Sequence, residues 1–335
     1  MRITILGAGG FLGRKLAARL AELGSFGGRP VERLVLFDLA LPPVPQARFP
    51  LECLAGDLAA LPAEAIPDGT DVVFHLAAVV SAAAEADYDL GMRINLGGTE
   101  RVIAACRRLS RPPRVIFTSS VASFSGGQSA VLGDDARQVP ANSYGAEKAA
   151  SELLLQDASR RGFLDAVSLR LPTVIVRPGR PNQAASSFVS AIIREPLLGL
   201  ATELPVGEDF AVWVASPRSV IDWLLHAAAL DSSPLGLDRA INPPGLSVSV
   251  AAMLAALDRA RPGAASLVRR VPDPRIASIV TTWPAAFVTE RARRLGFTEH
   301  RPLAEIIREF IAEDLEPTRV ERGLAPLPQK NGRLA

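Results

Sequence analysis

Tyr144-Gly145-Ala146-Glu147-Lys148 sets a phenol and an ammonium four residues apart, a spacing that puts both on one face of a helix. A free phenol titrates near pH ~10 and is a poor base at neutrality. A neighbouring ammonium and the positive charge of an oxidised nicotinamide both favour the phenolate and lower that value toward the working range. Upstream, Thr118-Ser119-Ser120 closes an apolar run, and a hydroxyl there can hold a substrate oxygen beside the phenol. Tyr144 is one of two tyrosines in the chain, which weighs against chance placement. A proton-handling pair of this kind serves a redox reaction at a carbinol carbon if a dinucleotide binds beside it.

Gly7-Ala8-Gly9-Gly10-Phe11-Leu12-Gly13 supplies that second half. It follows a short apolar run and opens a helical pattern. Gly7 permits the tight turn, Gly10 lets backbone approach a pyrophosphate, and Gly13 lets helix and strand pack closely, with Phe11 and Leu12 in the first helical turn. Asp38 ends the second strand, where its carboxylate accepts hydrogen bonds from ribose hydroxyls and repels a 2′-phosphate. Leu39-Ala40-Leu41 brings no arginine to offset that repulsion, so the cofactor is expected to be NAD rather than NADP. Asp57, with Leu58 after it, is expected near the adenine amino group. Ala77 is expected where the backbone passes close to the cofactor. His75 is read as a packed strand residue.

The elements that must carry these groups are legible. Arg2–Leu6, Leu34–Phe37, Leu51–Leu54, Val72–Leu76, Arg114–Thr118 and Ala166–Leu171 are short apolar runs without alternation, as in strands covered on both faces. Phe11–Leu23, Met92–Leu109 and Tyr144–Arg161 between them read as helices. The alternation predicts an α/β fold, a Rossmann-type doubly wound parallel sheet, with a smaller, mainly helical C-terminal lobe. Val220–Leu230 and Ala240–Asn242 read as a helix and strand returning to the sheet. The dinucleotide domain is therefore expected over 1–172 and 213–242, and the substrate lobe over 173–212 and 243–315. Residues 316–335 are expected to form a polar, fraying tail.

Together the glycine loop, the serine strand end and Tyr144/Lys148 resemble the extended short-chain dehydrogenase/reductase family, relatives of the nucleotide-sugar epimerases and dehydratases. The resemblance implies that Ser120 is catalytic beside Tyr144 and Lys148, with Ser119 next to it. It places Asn95, in Arg93-Ile94-Asn95-Leu96-Gly97, on the helix behind the active site, and it puts Pro172 against the cofactor. It also implies a homodimer through the second and third helices, with Val102, Ala105, Leu109, Leu153 and Leu154 as outward candidates. After the sixth strand, Arg170-Leu171-Pro172-Thr173-Val174-Ile175-Val176-Arg177-Pro178-Gly179 departs from the nucleotide-sugar enzymes. This segment, with Trp213-Val214-Ala215-Ser216-Pro217-Arg218 and Arg270-Val271-Pro272-Asp273-Pro274, resembles members acting on four-carbon sugar acids. Oxidation of a C2 hydroxyl to a 2-keto acid is implied. A carboxylate needs a cation, for which Arg177, Arg180 and Arg218 are candidates, with Thr173, Asn182, Ser186 and Ser187 for hydroxyls.

Composition narrows the field. The 37 basic and 35 acidic residues nearly balance, at net +2, which gives nucleic acid no footprint and leaves a small molecule as the expected partner. Two cysteines and three separated histidines make neither a disulfide framework nor a metal cluster. No apolar run is long enough to span a bilayer, so a reduced, cytoplasmic enzyme is expected. Two rivals remain: a nucleotide-sugar epimerase or dehydratase, although Val121-Ala122 offers no dehydratase acid pair, and a non-catalytic dinucleotide sensor, against which Tyr144 and Lys148 argue.

Overall fold

Continuous apolar strands need cover on both faces, and the fold provides it. The computed structural model describes residues 1–127, 131–181 and 186–325. Its main sheet has seven parallel strands: β1 (Arg2–Leu6), β2 (Arg33–Asp38), β3 (Leu51–Ala55), β4 (Val72–His75), β5 (Arg114–Ser120), β6 (Asp165–Leu171) and β7 (Ala240–Ile241). They run in the order β7-β6-β5-β4-β1-β2-β3. The chain starts mid-sheet, winds outward to β3, then returns to β4 on the other side of β1. That reversal opens a crevice at the carboxyl ends of β1 and β4, where such sheets bind ligands.

Helices α1 (Phe11–Leu23) and, later in the chain, Pro217–Ala229 cover one face through Leu16, Leu20, Trp223 and Leu224. Helices α2 (Gly97–Cys106) and α3 (Ser143–Arg160) cover the other through Val102, Ala105, Leu155 and Ala158. Val102 and Ala105 therefore pack internally, and Leu153 and Leu154 remain exposed. The helix expected over Met92–Leu109 is a π-turn at Met92–Leu96 leading into α2, and Arg108 and Leu109 close in tighter i→i+3 bonds.

Beyond Leu171 a second core forms. A small sheet of Thr173–Val174, Ala211–Ala215 and Leu246–Ser249 supports α4 (Ser187–Leu197). With α5 assigned to Pro217–Ala229, helices α6 (Val250–Ala260) and α7 (Leu303–Glu313) complete this lobe around Ile192, Met253, Leu257, Ile307 and Phe310.

Fraying from Glu316 is corrected by α8 (Leu315–Glu321). Leu315, Thr318 and Arg319 fall at helical i, i+3, i+4 spacing and are buried. Arg319 Nη1 donates to Leu198 O at 3.2 Å and Arg322 Nη1 to Glu195 Oε2 at 2.7 Å. Polar composition hid a stripe whose arginines are anchored rather than solvated. Residues 326–335 lie outside the described chain.

Candidate active site

The glycine loop is fixed by backbone and by steric need. Gly7 and Ala8 N–H both donate to Phe37 O, at 2.9 and 3.1 Å. Gly7 sits at φ 90°, where a side chain would be strained, and a Cβ there would come within 2.6 Å of Ala77 N. A Cβ on Gly13 would lie 2.1 Å from Gly7 O. Gly10, the N-cap of α1, receives no side-chain capping bond, so the first N–H groups of the helix face the crevice as an anion site. These features fit a dinucleotide pyrophosphate.

Asp38 does double duty at the end of β2. Its Oδ2 accepts from Gly9 N–H at 2.8 Å and its Oδ1 from Leu39 N–H at 2.7 Å, which locks the carboxylate beside the loop. Asp57 accepts from Ala59 N–H at 2.9 Å and from Arg93 Nη1 at 2.5 Å, and these donors hold its carboxyl below the usual range. Arg93 is a neighbour that sequence reasoning missed. Leu58 is buried under Gly98, where a Cβ would meet it at 2.5 Å.

The proton-handling groups sit where β5 meets α3. Asn142 caps α3, its Oδ1 accepting from Gly145 N–H at 2.8 Å. Gly145 lets the helix approach Ala122 O, which a Cβ would meet at 2.4 Å. Lys148 Nζ donates to Thr118 O at 2.9 Å and lies 5.5 Å from the Tyr144 ring centroid. Ser120 Oγ accepts from Ala122 N–H at 3.1 Å. Ser119 Oγ donates to Glu152, which also forms a buried pair with Arg170. Behind α3, buried Asn95 clasps Val79: Oδ1 accepts from its N–H at 2.8 Å, and Nδ2 donates to its O at 3.0 Å and to Glu147 Oε2 at 2.5 Å.

Electrostatics add burial to the charges that the motif implied. Burial pushes the Tyr144 phenol up to about 12, with Arg177 pulling it down and Glu147 adding to the rise. Lys148 is pushed down to about 7 by burial, against Glu147 and Glu152. The motif spacing supplied the charge partner but not the desolvation, which dominates inside the protein. Arg177 adds a second cation to the one the motif supplies, and it draws the Tyr144 phenol downward. Its guanidinium has no carboxylate or hydrogen-bond partner among the described residues, while its backbone is tied down: its N–H donates to Ser190 Oγ at 3.2 Å and its O accepts from Arg194 Nη1 at 2.8 Å.

One cavity gathers most of the expected residues: Gly7, Gly10, Phe11, Leu12 and Gly13 from the loop, Ser119, Ser120, Tyr144 and Lys148 from the centre, and Pro172, Thr173, Arg177 and Ser186 opposite. Asp38, Asp57, Leu58, Ala77 and Asn95 stand around it without lining it. Arg218 does not belong to it. It projects from α5 into an ion pair with Glu313 on another face, a tertiary neighbour that local sequence could not disclose. Arg180 is exposed, and Asn182 lies outside the described residues. Asn142 and Trp283 line the cavity unforeseen. Asn142 carried an N-cap signal ahead of α3, whereas Trp283 arrives from the second core with no local cue.

A parallel sheet with a glycine loop at its switch point and a tyrosine–lysine helix beside it defines an NAD-dependent oxidoreductase. The chain belongs to the NAD dependent epimerase/dehydratase family, whose pattern matches residues 3–214. It is similar to D-erythronate dehydrogenase of Cupriavidus necator, 46% identical over 93% of this chain and 98% of that one. The D-erythronate dehydrogenase of Haemophilus influenzae is 39% identical over 94% and 100%. A solved structure described as a nucleoside-diphosphate-sugar epimerase from Agrobacterium tumefaciens superposes with TM-score 0.89 at 44% identity, over 94% of this chain and 95% of that one.

Proposed function

We propose that the protein oxidises the C2 hydroxyl of D-erythronate to the 2-keto acid, with NAD as acceptor. The observation that carries the substrate class is Arg177, a guanidinium without a partner among the described residues, in the cavity beside Tyr144. A cation withdrawn from water without a counter-ion is costly, and a substrate carboxylate removes that cost through charge-assisted bonds. Full-length similarity to two D-erythronate dehydrogenases supports the same acid.

The residues then take these roles. Gly7, Gly10, Phe11, Leu12 and Gly13 hold the pyrophosphate, and Asp38 the adenine ribose. Asp57 and Leu58 shape the adenine end, while Ala77, Ser119 and Pro172 border the nicotinamide end. Bound NAD supplies the hydride acceptor. Ser120 orients the C2 oxygen, Tyr144 accepts its proton, and Lys148 holds the nicotinamide ribose and favours the phenolate. Asn95 keeps α3 in place. Arg177 takes the carboxylate, and Thr173, Ser186 and Asn182 the remaining hydroxyls. Hydride leaves C2 as the O–H proton passes to Tyr144, and C2 becomes a carbonyl. The sheet with α1–α3 and α5 forms the dinucleotide domain, and the second core the substrate lobe. Leu153 and Leu154, exposed on α3, support a homodimer packed on that helix; the near-neutral composition and reduced cysteines suit the cytoplasm.

The test is NADH formation, read at the usual nicotinamide absorbance of ~340 nm, with D-erythronate, L-threonate and nucleotide sugars. Turnover of the four-carbon acid, reduced about 10²–10⁴-fold in Tyr144→Phe, is expected. Interconversion of a nucleotide sugar without net NADH would move the protein to the epimerase reading, which the Agrobacterium structure's description favours.

A further inference from the structure

Arg177 reaches the cavity from a segment whose backbone is tied to Ser190, Arg194 and Thr318. Arg194, buried on α4, donates Nη1 to Arg177 O at 2.8 Å and Nε to Glu195 Oε1 at 2.8 Å. Glu195, also buried, takes Arg322 Nη1 on its other oxygen at 2.7 Å. Two residues past Arg177, Gly179 N–H donates to Thr318 Oγ1 on α8 at 3.4 Å. The segment that follows β6 is therefore backed by α4 on one side and by α8 with Arg322 on the other.

A buried arginine–glutamate–arginine triad is a poor way to gain stability. Desolvating three charges costs about as much as their attraction returns, and apolar side chains of similar volume do as well or better. Arg194 even leaves Nη2 without a partner among the described residues, and its positive charge repels that of Arg177. What the triad supplies is a fixed direction: it aims one donor at the Arg177 carbonyl.

We propose that Arg194, Glu195 and Arg322 are positioning residues for the active site, which set where the Arg177 guanidinium meets the substrate carboxylate and the Tyr144 phenol. This rests on the reading of Arg177 as the carboxylate ligand. It makes α8 and the residue after it part of the substrate machinery, although they lie outside the cavity.

The experiment compares Arg322→Gln, Glu195→Gln and Arg322→Lys with Arg177→Leu. Each is assayed for KM of D-erythronate, KM of NAD, and the pH dependence of kcat from neutral to alkaline conditions. Displacing Arg177 is expected to raise KM for the acid about 10–100-fold, the scale of a small misplacement at a reacting centre. KM for NAD stays as it was, and the alkaline limb of kcat moves to higher pH because the cation beside Tyr144 is lost. Arg322→Lys restores most of both. Arg322 sits at the rim of the triad, so its variants decide the matter even if Glu195→Gln does not fold. The proposal is overturned if Arg322→Gln lowers the melting temperature while KM for the acid and the pH profile stay unchanged. If Arg177→Leu itself leaves KM for the acid unchanged, the carboxylate reading fails and takes the relay with it. A KM raised by Arg177→Leu but not by the relay variants sinks the relay alone.

Discussion

Burial raises the Tyr144 phenol to about 12 in the protein alone. Oxidation needs the phenolate, so kcat/KM for the acid should climb from neutral into alkaline conditions, while reduction of the keto acid, which uses the phenol, should stay level over the same range because the phenol remains the dominant form. A flat profile for oxidation would remove Tyr144 as the proton acceptor. Asp38 belongs to the same scale. Asp38→Ala removes both the ribose acceptor and the repulsion of a 2′-phosphate. Bonds to charged groups contribute about 1.5–3 kcal/mol, so the NAD-over-NADP ratio of kcat/KM should drop about 10–100-fold. An unchanged ratio would mean that Asp38 serves only Gly9 and Leu39, the bonds it makes within the protein.

At the scale of elements, the π-turn at Met92–Leu96 turns Asn95 toward two partners at once, the Val79 backbone and Glu147 of α3. Asn95→Ala would orphan buried groups on both, at about 1–3 kcal/mol each. Urea unfolding should therefore show a loss of several kcal/mol, and a loss below about 1 kcal/mol would mean that water replaces the amide. The sequence disclosed Asn95 through family resemblance but none of its partners, since Val79 and Glu147 are far from it along the chain. Six strands and α1 were readable because doubly covered strands are continuous apolar runs, and because glycines punctuate the β1–α1 turn. Gly7, Gly10 and Gly13 were readable for the same reason. Arg218 and α8 were misread because an arginine's partner is a tertiary fact: one arginine pairs with Glu313, and another, Arg319, anchors a helix that looks like tail. The burial that raises the Tyr144 phenol in the protein alone has no signature in a five-residue motif.

The whole molecule couples its two cores across the cavity and across charged contacts such as Lys15 of α1 with Glu313 and Asp314, at 3.0 and 2.9 Å. Its global stability should therefore register a single buried titratable group in the sheet. His75 ends β4, fully buried, with Nε2 3.0 Å from Thr99 Oγ1 and its ring 5.2 Å from Phe117. Its Nδ1 has no hydrogen-bond partner among the described residues. Burial, aided by the Lys148 charge, holds it down to about 3. Unfolded, the same imidazole titrates near ~6.5. Between those values the unfolded chain binds a proton that the folded protein refuses, so stability rises with pH across the window. The contribution is complete above the unfolded value and is lost progressively as pH falls from there toward the folded one. His75→Gln keeps a hydrogen-bonding group for Thr99 but cannot titrate. At neutral pH it should be the less stable protein, having lost the ring contact with Phe117. As pH falls below ~6.5 the gap to the parent should narrow, read from urea midpoints at a series of pH values. A gap that stays constant through that range would show that His75 is protonated in the folded state as readily as in the unfolded one, and that the sheet around β4 admits a charge that its packing argues against.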